Sequence, residues 1–516
     1  FVNQTNVTQQ FFGKTFKHGL IAIAVLYAVA ALGYYVGISA VLLLLIAIGA
    51  FAISLKRLEY GILFAFIELF SNAHGQLLST EVSGFMLSLR MTIFAAVMSA
   101  WFVQLLRGRV RVSLNDVRLR QFSIVALAVV VGLFSGYLRN GFGAAFSDGN
   151  AYLYLGYLLP VTAINWTSEL KSKLLQLLAA GATWSMGVSA LVLYLFTHFN
   201  EVVLSTSYVF LRDLRIAEVT PIGGGVYRVF MQSHFFVGVF LLLLLSMLFQ
   251  KRWSFKKVFP ILSISIATLV LGLSRSFWVG FAGSLLVLFV LILWRSRPSI
   301  SRWLQSAGHA IGSLVLGLVL IAVIVLFPIP NQSSTGSDLA DALSKRATES
   351  GDAAVSSRWK LLDPMIESIK SNPILGSGYG TSVTFQSDDP RVREFSEDGT
   401  WTTVAMEWGW FELWVKMGIL GPIGFLALAA LMIKQLLAYT RTDKAWLGIG
   451  LISGIGFLYA THFFSPYLNH PIGLGFLLFC IPFLPNQQAI KVVESTADPL
   501  RVKTKVAAMA TTIETS

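Results

Sequence analysis

Apolar stretches of about 17 to 25 residues follow one another along almost the whole chain, separated by short polar turns. A helix of that length crosses a hydrocarbon core of about 30 Å. Reading the runs against their breakers predicts about fourteen transmembrane helices. They lie near 19–36, 38–54, 60–79, 84–105, 122–138, 151–166, 174–198, 231–249, 258–274, 277–294, 307–327, 410–434, 446–463 and 470–484. Gly33 and Gly37 are expected to form a tight turn between the first two. The predicted fold class is therefore all-α, a polytopic membrane protein. Its organisation reads as an N-terminal bundle over 1–327 with about eleven spans, a hydrophilic loop domain over 328–409, C-terminal helices over 410–484, and a disordered tail over 485–516.

Within the loop, SSRWKLLDPMIESIK (356–370) spaces Trp359, Leu362, Ile366 and Ile369 as one face of a helix. The expectation is an amphipathic helix lying at the membrane surface, bent near Pro364 and ending at Asn372-Pro373. Composition agrees with a membrane protein. The chain is 55% hydrophobic and 13% charged, against about 25% charged in a soluble domain. Its single cysteine, Cys480, lies in an apolar run, so neither a disulfide framework nor a Cys/His metal site is expected. The sequence begins at Phe1, so part of the N-terminus is expected to be missing or removed. Lys14 and Lys17 before the apolar run ending in Ala-Val-Ala at 28–30 resemble a signal peptide, but hydrophobicity continues to Ile53, and an uncleaved first span is expected.

Charge orients the bundle. With the N-terminus inside, every inner loop is basic and together they hold most of the 39 Lys and Arg residues, as the positive-inside rule requires. Both termini are then cytoplasmic and the loop 328–409 faces outward. The net charge of +13 implies contact with anionic membrane lipid and gives no reason to invoke nucleic acid.

NPILGSGYG (372–380) falls in this outer loop, away from ATP, and its spacing matches neither a dinucleotide fingerprint nor a Walker loop. Gly376, Gly378 and Gly380 permit positive φ and close backbone approach. They either shape the turn or expose N–H groups to an anion. The acidic run DDPRVREFSED (388–398) reads as a solvated loop rather than a calcium site.

Charges within spans or at their outer ends are functional candidates. On the outer side these are Arg90, Arg139, Arg228, Arg275 and Arg358, with His74, Glu407, Lys416, His462 and His470. Arg90 requires a partner, for which Glu68 and His74 are the nearest choices. Lys416 and His462 read as snorkelling groups or as hydrogen-bond partners of a neighbouring helix. Guanidinium groups grip phosphate bidentately and stay charged at physiological pH. Several of them at an outer surface suit a polyprenyl diphosphate that carries sugar.

Arg358-Trp359 followed by NPILGSGYG and FELWVKMGILGPIGFL (411–426) resembles the O-antigen ligase and polymerase family, and SRSFWVG (274–280) is similar to that family's helix hairpin. The matched motifs cover roughly 258–480. The resemblance implies a GT-C-like inner-membrane glycosyltransferase of a bacterium, its active site facing the periplasm. It implies an undecaprenyl-diphosphate-linked glycan as donor, with neither nucleotide sugar nor metal nor other cofactor, and a flippase and a chain-length regulator as possible partners. The family's ligases place a His-Asn pair shortly before the second motif. Eleven residues before Gly418 this chain has Glu407. Arg228, Arg275 and Arg358, with Arg90 and Arg139, are the candidate diphosphate ligands, and that departure makes Glu407 or His470 the candidate base. It favours a polymerase of repeat units for an exopolysaccharide, capsule or O-antigen, working with inversion. A ligase that transfers the glycan to lipid A-core or another acceptor, and a transporter of a small anion such as bicarbonate, are the alternatives.

Overall fold

A computed structural model of the chain describes residues 10–484 except 73, 83, 251–254, 297–298, 331–337, 342–343, 345–352, 389–391, 393 and 397. The tail 485–516 and part of the acidic run 388–398 thus lie outside the described residues. The described chain is mostly helical. Nine of its described helices are long and apolar enough to cross a membrane.

Helices form where the apolar runs lie and stop at the breakers. Lys14–Val36 (α1) ends at Gly37, whose φ of 76° makes the tight turn into Ser39–Lys56 (α2). Leu58–Ser71 (α3) is shorter than the run 60–79, because Asn72 turns extended and leads into the hairpin Ser79–Val82 (β1) and Phe85–Ser88 (β2). Leu89–Leu106 (α4) and the short Val117–Gln121 (α5) follow. Ser123–Gly149 (α6) breaks at Gly141, which leaves the helical region with φ 80° and ψ 163°. The run expected as a span over 151–166 is instead a 3₁₀ segment, Asn150–Tyr157, followed by the short Leu158–Ala163 (α7). Gly149, Gly156 and Pro160 deprive this stretch of a continuous α-helical ladder.

Ser168–His198 (α8) precedes Glu201–Asp213 (α9), then the hairpin Glu218–Gly223 (β3) and Val226–Phe230 (β4). His234–Phe249 (α10) is buried at every residue, as befits a helix apolar all round at the centre of a bundle. Phe255–Leu271 (α11), Arg275–Ser296 (α12) and Ile300–Val325 (α13) surround it. In the loop domain Ala353–Ser371 (α14) packs on the hairpin Val383–Gln386 (β5) and Thr400–Thr403 (β6). Gly409–Met417 (α15), Leu420–Leu436 (α16), Ala445–Phe464 (α17) and Pro471–Cys480 (α18) complete the chain. The three two-stranded hairpins add a little β-structure to the expected all-α fold.

One aromatic stack ties the centre together. Phe235 of α10 lies 5.1 Å from Phe457 of α17, nearly parallel, and meets Phe476 of α18 edge-on at 5.4 Å. Rings in these arrangements contribute about 0.5–1.5 kcal/mol beyond their buried area.

The loop helix differs from expectation in its buried face. Leu361, Met365 and Ile369 are buried at strict i, i+4 spacing, whereas Trp359 is 59% exposed. The helix lays that stripe against Met406, Trp408 and Val415, closing a small core of the loop itself. Packing against this local partner, rather than against a lipid surface, selects the buried stripe.

Candidate active site

Eight residues at and just beyond the C-terminal end of α17, FFSPYLNH (463–470), touch most of the candidate clusters in turn. Phe463 and Phe464 pack on Trp408, one residue from Glu407. Ser465 Oγ donates to Ser276 Oγ beside Arg275 at 3.1 Å. Tyr467 packs at a tilt against Phe277, ring centroids 5.4 Å apart. Asn469 Oδ1 accepts from Tyr152 at 2.8 Å, and the His470 ring stands 6.0 Å from that of His74. Pro466 and the 3₁₀ turn Tyr467–Asn469 break the helix here, so successive side chains fan out toward different elements.

The arginines themselves sit in separate nests. Arg90 is buried and forks onto Glu68, with Nε and Nη2 at 3.0 and 3.1 Å from its two oxygens, and Nη2 also donates to the Asn72 carbonyl at 2.8 Å. Arg228, on β4, donates to the Gly272 carbonyl at 3.0 Å, lies 3.9 Å from Glu218, and covers the Phe230 ring at 4.8 Å. Arg275 is half-buried and opens α12 three residues beyond Gly272, whose carbonyl accepts from Arg228. The tip is strained: Leu273 has φ 43°, a left-handed conformation uncommon outside glycine. Arg358 is paired with Glu407, and the indole of Trp408 donates to the Arg358 carbonyl at 2.7 Å. Arg139 donates to the Gly376 carbonyl at 3.2 Å.

The glycine turn is anchored between helices. Gly376, Gly378 and Gly380 have φ of 73°, 89° and 81°. Gly378 lies directly against Gly136 of α6, where a Cβ would collide with the Gly136 backbone. The turn's N–H groups are largely engaged within the protein: Ser377 donates to the Val415 carbonyl at 2.6 Å, Tyr379 to the Gly132 carbonyl at 3.1 Å and Gly380 to Asp148 Oδ2 at 2.8 Å. Of the two roles open to these glycines, the contacts favour shaping the turn.

Behind the turn lies a charged network in which only Lys416 stood out in the sequence. Lys416 Nζ donates to Asp148 at 2.6 Å, to Glu412 at 2.5 Å and to the Val404 carbonyl at 3.0 Å. Both its carboxylate partners are buried or nearly so. Glu412 was detectable four residues before Lys416 on the same helix; Asp148, 268 residues away in sequence, was not.

Two cavities lie among other described elements. One, of about 350 Å³, opens between the end of α9, the β3–β4 hairpin and the loop holding His74. His74 follows the end of α3, and burial, then the charges of Arg215 and Arg90, hold its pKa down to about 4. The other, of about 560 Å³, is lined almost wholly by apolar residues of α8, α11 and α13, including Met186, Leu271 and Ile324. Ser189 lines the apolar cavity and approaches Met231, which lines the polar one, at 3.7 Å. Only a thin wall separates them.

Residues 260–426 match the family model described as O-antigen ligase. That stretch contains Arg275, Arg358, the glycine turn, Glu407 and Lys416, while Arg90, Arg139, Arg228 and His470 lie outside it. No curated protein and no solved structure matches the chain. The match supports assigning this segment, which carries most of the candidate chemistry, to the O-antigen ligase and polymerase family.

Proposed function

We propose that this protein is a glycosyltransferase at the outer face of the bacterial inner membrane that joins undecaprenyl-diphosphate-linked repeat units into a polysaccharide. The observation that carries the reading is the pairing of Arg358 with Glu407 inside the matched segment. A phosphate-seeking guanidinium and a carboxylate suited to act as base are held side by side at a partly exposed position. An incoming diphosphate competes for Arg358, and its arrival frees Glu407.

In this mechanism Arg358, freed from Glu407, holds the donor's diphosphate, and Arg228 and Arg275, in a nest of their own, are the further candidate ligands. The charge of Arg90 is matched by Glu68, so it contributes mainly by fixing the corner between α3 and β1. Arg139 secures the glycine turn. The acceptor hydroxyl attacks the anomeric carbon from the face opposite the diphosphate. Its proton passes to Glu407, the anomeric C–O bond breaks, and its electron pair leaves with the polyprenyl diphosphate, giving inversion. Preorganised arginines stabilise that leaving charge by a few kcal/mol each. His470 is the second candidate for the base. The apolar cavity among α8, α11 and α13 suits the polyprenyl tail.

The accompanying topology takes the nine long helices as spans, together with Leu58–Ser71, His234–Phe249, Phe255–Leu271, Pro471–Phe483 and the returning limb after Gly149. That totals about fourteen crossings and sets the loop 328–409 outside.

Purified protein supplied with a synthetic lipid-linked repeat is expected to extend chains and release polyprenyl diphosphate. Arg275→Ala should abolish extension while insertion is unchanged; normal extension removes Arg275 from the mechanism. Glu407→Gln should lose activity that Glu407→His partly restores, and full activity in the Gln variant excludes the carboxylate as base. The matched family's description favours a second reading, a ligase. Transfer of preformed glycan to lipid A-core, with no extension of the repeat alone, would decide for it.

A further inference from the structure

The cavity beside α9 is unlike the diphosphate nest. Its wall includes Arg215, Glu218 and Gln232 with the rings of Tyr208, Phe230 and His74. Aromatic faces beside hydroxyl-bonding side chains are the mixture that a sugar ring requires, and 350 Å³ is a volume for one or two such rings rather than a whole repeat unit. Gln232 Oε1 is buried there and has no hydrogen-bond partner among the described residues, so its acceptor capacity is unfilled.

Arg215 is the second, independent sign. Helix α9 ends in a Schellman motif: Ile216 N–H donates to the Leu211 carbonyl at 2.8 Å and Arg215 N–H to the Arg212 carbonyl at 3.0 Å, with Leu211 and Ile216 both buried. This motif places the residue after the C-cap in the left-handed region, where glycine is preferred. The residue there is Arg215, with φ 49°. An arginine at a glycine position carries a backbone cost, and its side chain makes no hydrogen bond or ion pair with any described residue. Neighbouring Arg212 is, by contrast, paired with Asp213 at 2.9 Å. Glu218 also lines the cavity, and Arg228, 3.9 Å away, offsets its charge. One surplus positive charge therefore faces the cavity, which suits a monoanion and not a diphosphate.

We propose that this cavity binds an acidic sugar residue of the glycan, with the sugar carboxylate on Arg215, ring hydroxyls on Gln232 and Glu218, and the ring face against Phe230. The inference rests on the glycosyltransferase reading for its substrate class. Phe230 connects the two sites, because Arg228 covers its ring while Phe230 also lines the cavity. A glycan whose diphosphate lies at Arg228 thus has a path for its sugars.

The test uses the full chain in lipid nanodiscs and saturation-transfer NMR with methyl glucuronide, methyl glucoside and inorganic pyrophosphate. Methyl glucuronide is expected to bind at least tenfold more tightly than methyl glucoside, and equimolar pyrophosphate should leave it bound. Arg215→Gly is the decisive variant, since glycine suits the left-handed position and should keep or raise thermal stability. It should weaken glucuronide binding about 10- to 100-fold, the range for a lost charge-assisted hydrogen bond. Arg275→Ala should bind glucuronide as the wild type does. Absence of glucuronide binding, equal binding of the neutral glycoside, an unaffected Arg215→Gly variant, or displacement by pyrophosphate would each overturn the proposal. Glucuronide binding by a protein that forms no glycosidic bond would sink the enzymatic reading and leave this site standing.

Discussion

At the scale of single residues, buried charge is the main determinant. Lys416 is 3% exposed and shared by two carboxylates from different parts of the chain. Removing one member of such a group leaves buried charge uncompensated, at about 3–5 kcal/mol. Lys416→Met is therefore expected to lower the thermal unfolding midpoint of the detergent-purified protein markedly. Adding Asp148→Asn and Glu412→Gln should recover much of the loss; no recovery would mean that the lysine acts by packing alone. The sequence exposed this site only in part. An ammonium inside an apolar run is conspicuous, but nothing in the spacing links Asp148 to it, because α6 must break at Gly141 before Asp148 can approach. Arg90 was more legible, since Glu68 sits on the preceding helix and few other acids were within reach.

At the scale of elements, helix α14 illustrates how local pattern and tertiary partner compete. Two apolar stripes were available on that helix, and the one at Leu361, Met365 and Ile369 faces the hairpin β5–β6 and α15. Periodicity predicted the helix; only the neighbour decides which stripe is covered. Leu361→Ala should cost about 2–5 kcal/mol. The expected readout is faster proteolysis within 372–408 while the membrane helices stay intact, and unchanged cleavage would show that the stripe contributes little. The hairpins escaped prediction for a related reason. Strands of four to six residues are too short to produce a clear alternation, and β3 contains a proline and runs into three consecutive glycines.

For the whole molecule, length and hydropathy made the bundle plain, whereas the junction at 463–470 was invisible because it depends on how α17 lies among its neighbours. The proposed orientation makes a direct prediction. Cys480 is buried, so single cysteines introduced at exposed sites can be labelled selectively. Lys360→Cys should react with an impermeant maleimide on intact spheroplasts, and Arg441→Cys only after permeabilisation. The reverse pattern would place the loop on the cytoplasmic side and remove the lipid-linked donor from its reach. The slot that receives the glycine turn has a temporal consequence as well. One wall, near Gly132 and Gly136, is synthesised long before the turn, and the other, near Val415 and Gly418, is synthesised after it. A nascent chain that has emerged only as far as residue 400 therefore carries its turn beside half a socket, and maturation waits on insertion of the last helices.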